Sequence, residues 1–295
     1  MSRELGEICL AAAQAGARVL REMYDQPRDI HLKGRIDLVT DADRASEETV
    51  LRVLAERAPG VRVLAEESGE HGAEETALPA SKGAEATAQH ESKGAEGGEA
   101  RHPANTRFIV DPLDGTTNYA HGLPLFSCTV AAEAQGRVVA GCTVDPLRGE
   151  IFHAARGEGA WLGDRRLRVS QARELEKAVL CTGFPYADRE KLPWMLAAFS
   201  RFTELARGTR RLGSAALDLA YVAAGRLDGF WELGLKPWDV AAGQVLIEEA
   251  GGLVTRFDGT PLALDGAEIA AAGQGLHAAI LDVLRATSAP NPSAR

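Results

Sequence analysis

Apolar and polar positions alternate at helical spacing from the start of the chain. Over residues 3–24, "RELGEICLAAAQAGARVLREMY", this spacing predicts an amphipathic first helix. "DLVTDAD" (37–43) follows a polar turn and leads into a second helix, about 43–57, that stops before Pro59-Gly60. "VRVLAEESG" (61–69) begins as an alternating strand and ends in acids. The pattern then breaks. Between Glu70 and His102 the one large aliphatic residue is Leu78, and "SKGAE" occurs at 81–85 and again at 92–96. Such a stretch buries too little apolar area to offset its ordering entropy, which predicts a solvated insertion over 70–104.

The pattern resumes at "TRFIVD", a buried-type strand. Short β-rich runs fill 125–170: "LFSCTVAAE", "RVVAGCTVD", "EIFHAARG" and "GAWLG". The turns "AQGR", "DPLRG" and "GEG" between them predict an antiparallel meander. Beyond it strands and helices alternate. A strand at 178–183 precedes a helix at 188–207, and a short strand at 209–212 precedes a helix capped by Ser214. "GRLDGFWEL" reads as a strand and "WDVAAGQVLIEEAGG" as a helix with a glycine stop. "LVTRF" and "EIAAAG" are strands, and a last helix covers about 275–286. The expected organisation is an α+β half over 1–176 with the antiparallel sheet, an α/β half over 177–287 and a tail at 288–295, all in one compact unit.

Composition narrows the function. With 295 residues, 45% of them apolar, the chain supports a sizeable core. A net charge of −9 disfavours a general nucleic-acid or anionic-membrane binder. An acidic protein acting on a phosphate needs positive charge from elsewhere, most simply a bound cation. The cysteines, Cys9, Cys128, Cys142 and Cys181, form no Cys-x-x-Cys pair and sit in apolar runs, so they read as buried free thiols of a reducing cytoplasm. The histidines show no zinc-site spacing. The N-terminus has no uninterrupted apolar region of a signal peptide, and no apolar run is long enough to span a membrane.

Acids gather where buried elements begin or end. Glu66 and Glu67 follow "VRVLA", Asp111 and Asp114 follow "RFIV", Asp239 opens the "WDVAAG" helix, and Asp37, Asp41 and Asp43 precede the second helix. Sites in α/β sheets collect at strand ends. Taken singly, each acid reads as a cap or a solvated charge. "VDPLDGTTNY" (110–119) is harder to read that way. Pro112 lacks an N–H, so the strand is expected to stop there and turn Asp111 and Asp114 to one side. Two carboxylates about 4 Å apart repel by roughly 4 kcal/mol at an effective dielectric of about 20, so a converging third acid calls for a cation. Hard oxygen donors suit Mg²⁺, which also takes phosphate oxygens. Gly115 permits close backbone approach, and the free N–H groups of a turn opening at Thr116-Thr117 suit an anion.

These motifs resemble the inositol monophosphatase family, within the wider group of lithium-sensitive, Mg²⁺-dependent sugar phosphatases. The resemblance rests on "LAEESG" (64–69), "VDPLDGTTNY" (110–119), "GSAALDLAYVAAGRLDGFWE" (213–232) and "KPWDVAAGQVLIEEAGG" (236–252), with "DLVTDAD" and "CTGFPY" (181–186) in support. It covers all but the insertion and the tail. It implies a layered αβαβα sandwich of the inositol monophosphatase/fructose-1,6-bisphosphatase type, a homodimer, and hydrolysis of a phosphomonoester by water. By the resemblance Glu66, Asp111, Asp114 and the Leu113 carbonyl match metal ligands, and Asp239 matches an acid that meets both metal and substrate. Gly115 and Thr116 match phosphate-contacting amides, and Thr116 with Asp43 matches a dyad that orients the attacking water. Glu232 matches an acceptor for substrate hydroxyls, and Gly213, Ser214 and Ala215 match the pocket wall. Asp37 has no firm role. Two or three Mg²⁺ ions fit the formal charges.

Several residues keep plainer readings. Glu67 reads as a solvated or supporting acid, Trp238 and Phe230 as core, Asp218 as a structural hydrogen-bonder, and His121 as a loop residue. Lys236 reads as exposed surface, while Trp231 stays open between pocket and interface. The implied substrate is myo-inositol monophosphate. Related polyol or sugar phosphates follow: fructose bisphosphate, histidinol phosphate, NADP or adenosine bisphosphate. A bisphosphate would favour a basic patch, for which Arg207, Arg210 and Arg211 are the candidates. A reading from another class is a non-catalytic regulator or scaffold that keeps the metal site for stability.

Overall fold

The computed structural model describes residues 1–26, 30–32, 38–72, 105–184, 190–264 and 268–287. Asp37, the insertion from 73 to 104, Pro185 and Tyr186 of "CTGFPY", and the tail from 288 lie outside the described residues.

The elements in order are α1 (Ser2–Tyr24), β1 (Ile30–Leu32), β2 (Leu38–Thr40), α2 (Asp41–Arg57), β3 (Arg62–Ala65), β4 (Gly69–His71), β5 (Thr106–Asp114) and α3 (Thr116–Ala120). There follow β6 (Ser127–Ala134), β7 (Arg137–Asp145), β8 (Glu150–Ala155), β9 (Gly159–Leu162) and β10 (Arg165–Arg166). The chain continues with β11 (Val179–Thr182), α4 (Leu192–Leu205), β12 (Gly208–Arg210), α5 (Ala215–Ala223) and β13 (Gly229–Leu233). It closes with α6 (Pro237–Glu249), β14 (Gly252–Thr255), β15 (Glu268–Gly273) and α7 (Gln274–Ala286).

Beside the small β1–β2 ladder, two sheets form. One has eight strands in the order β10-β9-β8-β7-β6-β5-β3-β4, and the other has five in the order β12-β11-β13-β15-β14. The meander from β5 to β10 is antiparallel throughout, as its turns predict. The parallel pairs are β3 with β5 and β11 with β12 and β13.

Three apolar clusters define five layers. Period-two alternation sends Phe108 and Val110 of β5 toward α1 and α2, with Leu5, Leu20 and Val50. Ile109, between them, points the other way into a cluster with Leu219 of α5 and Val245 and Leu246 of α6. That cluster also holds Phe230 and Ile269, so α5 and α6 lie between the sheets. On the far face of the second sheet Trp231, Ala270 and Ala272 pack against Met195, Phe202, Leu276 and Ile280 of α4 and α7. The result is the αβαβα sandwich. A strand buried on both faces has no polar side to show, which is why "FIV" reads as a continuous apolar run. The helix–sheet contact is close at Gly141, where an added Cβ would stand 2.7 Å from Ala242 Cα.

Several boundaries differ from the sequence reading. Strand β5 does not stop at Pro112. It continues to Asp114 through a register shift: Asp111 pairs with Thr129 but Asp114 with Ser127, three steps against two. This is a bulge, where an imino residue without an N–H costs no ladder bond. Glu70 and His71, expected in the insertion, extend the first sheet as part of β4. Helix α4 runs over Leu192–Leu205, shorter than 188–207, with Pro193 in its first turn, where a missing N–H is harmless. Trp231 is fully buried and stacked on Phe202 at 5.1 Å, so it is core rather than pocket.

Candidate active site at the end of the first sheet

The parallel register of β3 and β5 brings the first two acids together. Ala65 pairs with Val110, and the Glu66 amide donates to the Val110 carbonyl at 3.1 Å, so Glu66 and Asp111 emerge side by side. The Glu66 carboxyl is close enough to Asp111 to raise it by its charge. Past Asp111 the bulge is self-supporting: Leu113 N donates to Asp111 Oδ1 at 3.0 Å. Helix α2 braces it from below. Ser46 Oγ donates to the Pro112 carbonyl at 2.8 Å, and Asp43, one turn earlier, accepts from Thr116 Oγ1 at 3.2 Å. Asp43 is fully buried and also accepts from Thr40 N and Thr40 Oγ1 at 2.7 and 2.6 Å, which caps α2.

Gly115 then turns the chain at φ +96, and a Cβ there would stand 3.0 Å from the Leu125 carbonyl. The following α3 is one short turn. Thr116 Oγ1 also donates to the Leu113 carbonyl at 3.0 Å, leaving that oxygen a second lone pair.

The remaining parts come from the second half of the chain. Helix α5 meets Asp114 with its first turn: Ser214 Oγ donates to Asp114 Oδ2 at 2.6 Å, Ala216 N to Oδ2 at 2.7 Å and Ala215 N to Oδ1 at 3.3 Å. Ser214 and Ala215, expected in the pocket wall, are seen here as supports of Asp114. At α6, Asp239 accepts from Lys236 N at 2.6 Å. One oxygen each of Asp111, Asp114 and Asp239 lie within 4.8 Å of one another. Among the described residues this is the group that could hold a metal ion, with Glu66 joined to it through Asp111.

Electrostatics make the grouping costly without a cation. Burial, and then the charges of Glu66, Asp114 and Asp239, push Asp111 well above its ordinary range. Burial and Asp114 do the same to Asp239. Burial raises Asp114 too, although the Ser214 hydroxyl and the Ala216 and Ala215 amides draw it back down. Glu232 is buried and raised by burial and then by Asp218. Its carboxyl presses on Gly183, whose Cα could carry no side chain without striking it. Asp218 is raised by burial, and its Oδ1 has no hydrogen-bond partner. The donor set is all oxygen, mostly carboxylate, which fits Mg²⁺ and not a soft ion.

The sequence reading missed Ser46 and three further residues of this site. Thr40 holds Asp43, and "VTDAD" carried that signal as a cap followed three residues later by an acid. Asn118 Nδ2 donates to the Leu125 and Leu212 carbonyls at 2.7 and 2.8 Å and so ties α3 to the segment before Ser214. Gly183 had no local signal, because its neighbour Glu232 is 49 positions away. Glu67 is not one of the metal-capable group, and its amide donates to Glu47 Oε2 at 2.9 Å. His121 ends α3, and Phe230 is core.

A five-layered sandwich with an acid-lined cup at a strand end defines a metal-dependent phosphatase architecture. The chain belongs to the inositol monophosphatase family, whose profile matches residues 2–289. It is 40% identical over 276 residues to the inositol-1-monophosphatase of Mesorhizobium japonicum, covering 93% of each chain. It is 38% identical over 280 residues to Nus factor SuhB of Pasteurella multocida, covering 94% of each. The crystal structure of extragenic suppressor protein suhB from Bartonella henselae superposes with a TM-score of 0.81 at 37% identity, covering 95% of this chain and 98% of that one. Among the described residues no helix is long and apolar enough to cross a membrane.

Proposed function

We propose that the protein hydrolyses myo-inositol monophosphate to inositol and phosphate with Mg²⁺ at Glu66, Asp111, Asp114, Asp239 and the Leu113 carbonyl. The observation that carries this reading is the meeting of Asp111, Asp114 and Asp239 oxygens within 4.8 Å at the end of β5. Bound Mg²⁺ supplies Lewis acidity and lowers the pKa of water. The chain does the rest. Gly115 and Thr116 present backbone amides to the phosphate, and the glycine lets the backbone approach it. Thr116 holds its hydroxyl between Asp43 and the Leu113 carbonyl, either of which takes its one proton, so the oxygen is left to accept from the attacking water. Glu232 accepts from the ring hydroxyls of the leaving alcohol, and Gly213, Ser214 and Ala215 wall that pocket. Two or three ions per site, lithium inhibition, a cytoplasmic location and a homodimer belong to this reading.

The test is phosphate release from a panel of phosphomonoesters, myo-inositol 1-phosphate among them, with Mg²⁺, with EDTA and with added lithium. Release from the inositol ester that needs Mg²⁺ supports the reading. Faster release from histidinol phosphate, NADP or a sugar bisphosphate reassigns the substrate within the family.

The name Nus factor SuhB on relatives of like identity favours a second reading, a regulatory role beside or instead of catalysis. Capture of transcription-complex partners that persists in Asp111→Asn would support that role and separate it from the metal chemistry.

A further inference from the structure

Beside Gly213, which the family resemblance puts in the pocket wall, stands a cation to which that resemblance gives no role. Arg211 lies between β12 and the Gly213 turn that leads into α5. It is exposed, so a ligand can reach it. Its guanidinium folds back over Gly213: a Cβ on that glycine would stand 2.6 Å from Arg211 Nη1. Asn118 borders the same glycine and, through the Leu212 carbonyl, pins the segment that holds Arg211. From this place the Arg211 charge reaches Asp114, Asp218 and Glu232 together. Lys236 serves Asp239. The neighbouring Arg210 instead bends back on its own strand, with Nη1 donating to the Thr209 carbonyl at 3.2 Å. The guanidiniums at 210 and 211 therefore lie against different neighbours.

A polyol hydroxyl donates one hydrogen and offers two lone pairs. Glu232, when ionised, can take the hydrogen but offers nothing to the lone pairs. A seat built of carboxylates alone would leave those oxygens without donors, and a buried polar group without a partner is costly. A guanidinium at the edge of the same pocket supplies a planar fork of donors.

We propose that Arg211 is a specificity-determining residue for the polyol, donating to ring hydroxyl oxygens whose protons Glu232 accepts. This rests on the polyol-phosphate reading above. Each hydroxyl is then read as donor and acceptor at once. A phosphomonoester whose leaving group lacks hydroxyls gains nothing from Arg211.

The experiment compares the full chain with Arg211→Gln and Arg211→Lys in Mg²⁺, using myo-inositol 1-phosphate and p-nitrophenyl phosphate, with thermal melting as the folding control. In Arg211→Gln the ratio of the two kcat/KM values is expected to fall about tenfold, the order of one lost charge-assisted hydrogen bond. The fall should come through KM for the inositol ester, with partial recovery in Arg211→Lys. An unchanged ratio overturns the proposal. An equal loss with both esters also overturns it, because it would place Arg211 in the support of Asp114 rather than beside the polyol. A wild-type protein with no preference for the inositol ester overturns the polyol reading itself, a result visible before any variant is made.

Discussion

Ser214 Oγ donates to Asp114 Oδ2 at 2.6 Å while accepting from Leu217 N at 3.4 Å. One hydroxyl thus caps α5 and orients an acid 100 positions earlier in the chain. The second sheet's helix layer is thereby fastened to the acid cup of the first.

Ser214→Ala removes both bonds. Loss of the cap alone costs about 1 kcal/mol. Asp114 would keep its two backbone donors, so the fold should survive while Mg²⁺ affinity falls. Ser214→Thr should restore both properties in large part. Thermal melting and Mg²⁺ titration on the three proteins check this, and a Ser214→Ala protein with unaltered Mg²⁺ affinity counts against it.

The buried acids give a pH dependence with a definite sign. Asp111, Asp218 and Asp239 are held above an ordinary 3.8, and Glu232 above 4.5. Without metal, the folded protein keeps protons that the unfolded chain has already lost. Stability is therefore greatest below those ordinary values and falls as pH rises from them toward the raised ones. Mg²⁺ should remove most of that fall. Urea unfolding between about pH 4 and about pH 8, with and without Mg²⁺, measures the difference. The comparison isolates these acids from His277, whose buried ring is held below its ordinary 6.5 by desolvation and weakens the fold from the acid side. A Mg²⁺ effect that shrinks as pH rises contradicts this sign.

Gly183→Ala tests the pocket wall. The added Cβ would fall 2.3 Å from both Glu232 oxygens, so the carboxylate must shift. Glu232 is not one of the Asp111–Asp114–Asp239 group, so Mg²⁺ affinity should hold while KM for the inositol ester rises several-fold. Parallel measurement of the two quantities decides it; a loss of Mg²⁺ affinity with KM unchanged would be the wrong way round.

Much of this was legible in the chain. Period-two and helical spacing place the long elements, because each layer buries one or both faces and the pattern follows burial, while the short strands β1, β2, β4 and β10 are too brief to show a period. Pro112 misleads, since a strand end and a bulge leave the same local mark and only the β6 register tells them apart. The acids of the cup stand out because charged residues directly after buried strands are conspicuous. Their supports do not. Ser46, Thr40 and Asn118 are ordinary polar residues whose partners become neighbours only when the sheets close. Gly183 matters for a side chain on another strand, and no local pattern announces that. Trp231 could be assigned to the core only once α4 was seen to cover β13.

The most direct measurement is calorimetric titration of Mg²⁺ into the wild type and Asp111→Asn at neutral pH, with phosphate release from myo-inositol 1-phosphate followed on the same samples. The wild type should bind Mg²⁺ saturably and release phosphate. Asp111→Asn should stay folded, bind at least about tenfold more weakly and lose nearly all release, as expected when one charged donor leaves a shared cation. Equal Mg²⁺ binding by the two proteins, or release that continues in EDTA, would contradict the account.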